Sequence, residues 1–226
     1  MMAQPAAKEK GAKLTGKDLK EKLITFPLYV LVNPFKGFDA IKHEGRGSML
    51  FCLVIMFLLG VSTVYGFMGR SFLWRGWDTE VPALNLFWTA FNLYAPILLI
   101  CLANWTVTTI TNGNGRFKEI FQVYCYAIII HVFCEIVVTV LSNFLTAEEM
   151  PFLYMLSALG NIILYFYLFI GLVVVHEYTF LKGIVTVILT IVAMLFIVLI
   201  LSLFFSLVSE LIFFFVLIFT EIEAFL

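Results

Sequence analysis

Long apolar blocks separated by short polar breaks dominate the chain, at residues 49–67, 86–110, 120–145, 152–175 and 184–205. Each comes near the roughly 20 residues that cross a ~30 Å hydrocarbon core as a helix, a structure whose backbone needs no water to satisfy its hydrogen bonds. The pattern predicts an all-α polytopic membrane bundle with five transmembrane helices. Ahead of the first block, residues 23–32 form an apolar run too short to cross and interrupted by Pro27; such a run lies in the interface or re-enters slightly. Asn33-Pro34 then has the form of an N-cap followed by proline at the first helical position. Phe35, Phe38 and Ile41 share a face opposite Lys36, Asp39 and Lys42, which predicts an N-terminal interfacial helix. Gly45 and Gly47 end it, and Ser48 can cap the first crossing.

Beyond the fifth block the apolar character continues to Ile218. One helix from Ile184 to that point would be about 52 Å long, more than the bilayer holds, so a break is expected at Ser206, Ser209 and Glu210. Residues 207–226 are then expected to form an amphipathic helix on the outer surface, with pairing to a partner membrane helix as the alternative. The chain divides into a basic tail at 1–22, expected to be disordered, an interfacial segment at 23–47, the membrane domain at 48–206 and the outer helix at 207–226.

Composition agrees with this division. Of 226 residues, 62% are hydrophobic and 13% charged, against roughly 45–50% and 25% in soluble domains. The charges are segregated by sign. Nine of the fourteen Lys and Arg residues precede the first span, Arg116 and Lys118 lie between the second and third, and Lys182 lies between the fourth and fifth. Only Arg70 and Arg75 fall on the other side, so basic residues place the N-terminus in the cytoplasm and the C-terminus outside. The lysine-rich start has no apolar run of the kind that precedes signal cleavage, so the first crossing is expected to be the targeting signal. Cys52, Cys101, Cys125 and Cys134 fall inside the spans and suit apolar packing better than disulfide or metal chemistry.

Polar groups within the spans are the candidates for function, because each is costly there. On the third span, His131 and Glu135 are spaced i, i+4, and Tyr124, Thr139 and Ser142 project to the same side. This stripe could relay protons or hold a polar ligand, or it could join helices by hydrogen bonds. The second span carries Asn85, Thr89, Asn92 and Pro96 on one face, where a proline kink could open a pocket; Asn104 lies further along, in a glycosylation-type triplet that the membrane would hide. Ser157, Gly160 and Asn161 suit close packing on the fourth span, while His43 and His176 sit near the cytoplasmic face, away from the stripe. Asn112, Gly113, Gly115, Arg116, Phe117 and Lys118 form a tight cytoplasmic turn whose Asn and Gly residues accept positive φ. Its Gly-x-Gly lacks the strand and lysine of a phosphate loop. No metal site and no cofactor is expected from these residues.

Three motifs occur in order: Asn33, Pro34, Phe35 and Phe38 before the first span, Ala103-Asn104-Trp105 near the end of the second, and Gly113-x-Gly115-x-Phe117-Lys118-Glu119 opening the third. Together they resemble the bacterial branch of the Yip1 family. The resemblance implies five spans and a cytoplasmic N-terminus; the residues offer no paired carboxylates, nucleophile with a base or metal constellation, so a non-enzymatic role in a bacterial cytoplasmic membrane is expected. Eukaryotic relatives are similar to trafficking factors that bind Rab-type GTPases, but their Asp-Leu-Tyr-Gly-Pro type motif is absent here. Some bacterial relatives accompany carbohydrate ABC transport systems, which implies an accessory or scaffold role. The expected partners are membrane lipids and other membrane proteins, an ABC transport system or a second copy of the chain among them, and no nucleic acid. A small transporter, channel or lipid scramblase using the stripe around His131 and Glu135 is the alternative.

Overall fold

Five helices in the computed structural model are long and apolar enough to cross a membrane: Met49–Gly69, Leu86–Thr111, Phe117–Leu141, Ala147–His176 and Phe180–Ile218. It describes residues 16–74 and 83–225. Among these there is no strand. The greater part of the basic tail, with Lys8, Lys10 and Lys13, and Arg75 in the following loop lie outside the described residues.

The first helices are α1 (Gly16–Lys20), a π-helical turn (Glu21–Thr25), α2 (Phe26–Val32) and α3 (Pro34–His43). Pro34 stands at the first position of α3 as its fixed φ favours, but the Asn33 side chain makes no capping bond. Asn33 instead holds the corner of a hairpin between α2 and α3. The Tyr167 hydroxyl donates to the Leu31 carbonyl near this corner, whereas the far end of α3 meets Glu177 through His43. Ten residues of a spanning helix separate these two contacts, about 15 Å of rise. The hairpin therefore stands along the fourth span instead of lying flat. Phe26, Val30, Phe38 and Ile41 are buried against the bundle, while Leu28, Val32 and Phe35 are exposed near the corner. Phe35 thus leaves the face it was expected to share with Phe38 and Ile41.

The membrane helices follow as α4 (Met49–Gly69), α5 (Leu86–Thr111), α6 (Phe117–Ala127), α7 (Ile129–Leu141), α8 (Met150–His176, after a 3-10 turn at Ala147–Glu149) and α9 (Phe180–Phe225). Ser48 caps α4 by accepting from the Phe51 amide at 3.4 Å, as its type and place suggest. The third span is two helices, because the chain bends at Ile128. It is also the central element: 56% of its apolar window is buried, against 11% for the last span. α4 and α8 flank it, and α5 packs on α6 and α9. Tyr126, fully buried on α6, stacks on Phe51 with ring centroids 4.5 Å apart and meets Phe26 edge-on at 5.6 Å, tying the N-terminal hairpin to the first and third spans.

The expected break at Ser206–Glu210 does not occur. α9 runs unbroken from Phe180 to Phe225, so the C-terminal helix is the continuation of the fifth span. The reason is local: residues 184–226 contain neither Gly nor Pro, and isolated Ser and Glu cost a helix only a few tenths of a kcal/mol each.

Candidate functional site

Two polar clusters are built into the bundle, one at each end. The first gathers around Glu135 on α7. Its Oε2 accepts from Nη2 of Arg70, and its Oε1 accepts from the Ser157 hydroxyl of α8 at 2.7 Å. Arg70 is the C-cap of α4, and its guanidinium lies over the Trp74 ring at 4.7 Å. It donates through Nε to the Thr139 hydroxyl at 3.4 Å, and that hydroxyl in turn donates to the Glu135 carbonyl at 2.8 Å. Ser142 accepts from the Ser71 amide at 3.2 Å, and the Asn143 amide group donates to the Gly69 carbonyl at 2.7 Å. Both pin the end of α4 to α7. The cluster thus joins three spans through one carboxylate.

The stripe expected from helical spacing is only partly assembled. Glu135, Thr139 and Ser142 meet Arg70 and its neighbours, but Tyr124 lies in the apolar core beyond the bend at Ile128. His131 is half-buried between them. Its Nδ1 is buried without a hydrogen-bond partner among the described residues. On α8, Gly160 lies against Cys134 and the backbone of His131, and Asn161 donates back to the Ser157 carbonyl at 3.1 Å.

The second cluster, centred on His176, was not anticipated. Nδ1 of this buried ring accepts from the Gly115 amide at 3.1 Å, so Nε2 carries the proton and donates to Oδ1 of Asn104 at 2.9 Å. The Asn104 amide group donates to Thr190 at 3.1 Å, and Thr190 donates to the Thr186 carbonyl at 2.8 Å. His176 and Asn104 are 1% and 0% exposed, so every bond in this chain is shielded from water. It joins α5, the 112–116 turn, the end of α8 and α9. Tyr178 stacks on His176 with centroids 5.0 Å apart and shares a hydrogen bond with Thr111 at 2.5 Å.

The turn itself departs from expectation. The residue with positive φ is Asn112, at 51°, and neither Gly113 nor Gly115 has it. Glycine is needed there for space: a Cβ on Gly115 would lie 2.6 Å from His176 Nδ1, and one on Gly113 would lie 2.7 Å from the same atom. α8 closes in the same left-handed way, with Glu177 at φ 57° and the Tyr178 amide donating to the Val173 carbonyl at 2.9 Å. Asn114 donates to Glu177 at 2.9 Å and so joins the two turns. From α3, Lys42 meets Glu119 at 3.0 Å and also donates to the Asn114 carbonyl, while His43 lies between Asp39 at 2.9 Å and Glu177 at 3.2 Å. Lys42 therefore turns inward, not to the polar face assigned to it. The Asp39 hydrogen bond is the main cause holding the His43 pKa above its ordinary 6.5, and the Asn114 bond is the main cause holding the Glu177 carboxyl below its ordinary 4.5.

Of the polar face expected on the second span, Thr89 lines a groove between α4 and α5, while Asn85 and Asn92 do not. Asn85 caps the helix by accepting from the Trp88 amide at 3.0 Å, Asn92 is exposed and donates to the Trp88 carbonyl at 2.8 Å, and α5 continues through Pro96. All four cysteines are buried and free. No group of three or more His, Cys, Asp or Glu able to hold a metal occurs among the described residues.

The three ordered motifs thus map onto the hairpin corner, the buried Asn104 and the glycines against His176. The Yip1 domain profile matches residues 28–203, most of the chain and all of this framework. The chain belongs to the Yip1 family. No curated relative and no solved structure matches it. In this Yip1 domain, the second and third motifs place Asn104 and Gly115 against His176, where they join helices at one end of the bundle, while the first stands at the hairpin corner.

Proposed function

We propose that this multi-pass Yip1-domain protein is a non-enzymatic accessory or scaffold protein that holds a partner membrane protein against its last helix. The observation that carries this reading is the length and bareness of α9. Forty-six residues at 1.5 Å each make a rod of about 69 Å, more than twice a ~30 Å hydrocarbon core. The bundle covers only its beginning; Thr190 is the last buried residue among those described, and Leu203, Phe204, Leu207, Leu211, Phe214 and Leu217 are exposed on all sides. Tilt can absorb some of the excess length, but not half the rod. A partner's apolar surface would cover the remainder. The polar groups of the bundle support the same reading, since Arg70, Glu135, Asn104 and His176 are engaged with one another.

The charge distribution supports a cytoplasmic N-terminus in a bacterial cytoplasmic membrane, with the far end of α9 outside. A component of a membrane transport system is the partner class we favour. Photo-crosslinking residues placed at Phe204, Leu211 and Phe215 should capture one membrane protein stoichiometrically, whereas the same group at Phe57 on α4 should not. Lipid adducts alone at all three positions would refute the proposal.

One observation favours a second reading, a small transporter, channel or scramblase: the unpaired Nδ1 of His131 lies a helical turn from Glu135. In liposomes, that reading requires His131→Ala to abolish ion or lipid flux while the fold survives.

A further inference from the structure

We propose that the α2–α3 hairpin is a wedge set into one leaflet only, the one on the side of His43 and Glu177, and that it makes the chain favour membrane that is convex on that side. Two levels fix its depth. The far end of α3 meets Glu119 in the first turn of α6 through Lys42, and Glu177 just past the end of α8 through His43, so it lies where two spans end. The corner lies beside Tyr167, about 15 Å further in, whereas the middle of the 27-residue α8 is about 20 Å from its end. The hairpin therefore enters the leaflet and stops short of the bilayer centre.

The chemistry of the corner suits hydrocarbon. Away from the bundle it presents Leu28, Val32 and Phe35, each more than half exposed. Where helical bonding is interrupted, the backbone finds partners within the protein: the Asn33 amide donates to the Tyr29 carbonyl at 2.9 Å, the Gly37 amide to the Asn33 carbonyl at 2.8 Å and the Tyr167 hydroxyl to the Leu31 carbonyl, and Pro34 has no amide to satisfy. The two arms close backbone to backbone, since a Cβ on Gly37 would lie 2.7 Å from Val30 Cα. Charge rises toward the span ends. Lys36 stands about 10 Å below His43, from where its four-carbon stem can return the ammonium to the headgroups, and Asp39, about 6 Å below, is bonded to His43. Lys20, Glu21 and Lys22 precede α2, with Glu21 held by Arg46 at 3.2 Å.

Two helices about 10 Å across take up roughly 150 Å2 of this leaflet. Among the described residues nothing comparable stands on the other side, where only turns such as Ala147–Glu149 lie outside the five spans. Area added to one leaflet alone favours bending toward the other.

The test uses the full chain in giant vesicles of phosphatidylethanolamine and phosphatidylglycerol. A membrane-impermeant maleimide dye, added outside to Lys118→Cys, labels only chains whose hairpin side faces outward, because the four native thiols are buried. The labelled chain should be enriched per lipid in tubes pulled from the vesicle, increasingly so as the tube narrows; equal density in tube and vesicle would overturn the proposal. A nitroxide at Val32→Cys should be relaxed by oxygen and spared by a water-soluble nickel chelate, and one at Lys22→Cys the reverse. Access of the chelate to Val32, or shielding of Val32 from both as a covering protein helix would impose, would equally overturn it. Val32→Glu with Phe35→Glu should lift the corner toward water and abolish the enrichment; a folded double variant that still concentrates in tubes would refute the wedge, and the tube and nitroxide measurements decide if it does not fold. The partner proposed for α9 is absent from these vesicles, so failure here leaves that reading intact.

Discussion

Arg70 and Glu135 form an ion pair across the bundle, with the cap residue of α4 reaching back to a carboxylate in the middle of α7. Their side chains are 21% and 17% exposed, so neither charge is fully hydrated and each is the main compensation for the other. The same carboxylate holds Ser157, which makes Glu135 the point where α4, α7 and α8 meet.

Replacing Glu135 by Gln should therefore destabilise the fold by about 1–3 kcal/mol, less than a fully buried pair would lose because water still reaches both groups. Arg70→Gln together with Glu135→Gln should recover part of that loss. Thermal unfolding in detergent of the two single variants and the double variant measures the coupling, and additive losses would show that the pair is not coupled.

His176→Ala leaves the Gly115 amide and the Asn104 Oδ1 without their His176 partner inside the bundle. Each unmet buried group costs on the order of 1–3 kcal/mol, so this variant should be among the least stable single changes in the chain. Limited trypsin digestion should read the damage at Arg116 and Lys118, beside the released turn. Wild-type resistance at those two bonds would argue that the histidine does not hold the turn.

Gly160→Ala tests the contact of α7 with α8, because the added Cβ would lie 2.9 Å from the Cys134 Cβ. Overpacking of this kind costs about 1–3 kcal/mol. Cys134→Ala should give no relief, since the nearest atom is the one that alanine keeps. Cys134→Gly should relieve it, less about 1 kcal/mol for glycine in a helix. Melting temperatures of the three chains decide the order.

The attachment of α3 should depend on pH. His43 has a pKa raised above 6.5 in the folded chain, so its contribution is complete below that value and is lost as pH rises through the folded one. Glu177 has a depressed pKa, so its contribution is present above 4.5 and is lost as pH falls through the folded value. Between those limits both bonds hold, and amide exchange in residues 43–46, corrected for intrinsic rates, should be slowest. His43→Gln should flatten the alkaline side; a profile identical to the parent's would count against the assignment.

Particular residues show how far the sequence could be read. The bounds of α4, α5 and α8 match the apolar blocks within a few residues, because length and hydropathy alone decide what can cross lipid. The bend at Ile128 could not be seen that way, and it separates Tyr124 from a stripe that a straight helix would have kept whole. Arg70 reads as a loop charge, and nothing local says that it turns back toward the bundle. His176 has the most distant cause of all. Its partners Asn104 and Gly115 lie 72 and 61 residues away, and only packing brings them to one ring.

By itself, the order of apolar and polar residues determined the solvent and the number of segments able to cross it, since transfer into lipid is a property of each segment taken alone. The tertiary structure decided which polar groups meet: Arg70 with Glu135, His176 with Asn104 and Gly115, His43 with Glu177. Hydrogen bonds and ion pairs are short and directional. They depend on positions within a few tenths of an ångström, and those positions exist only once the helices have packed.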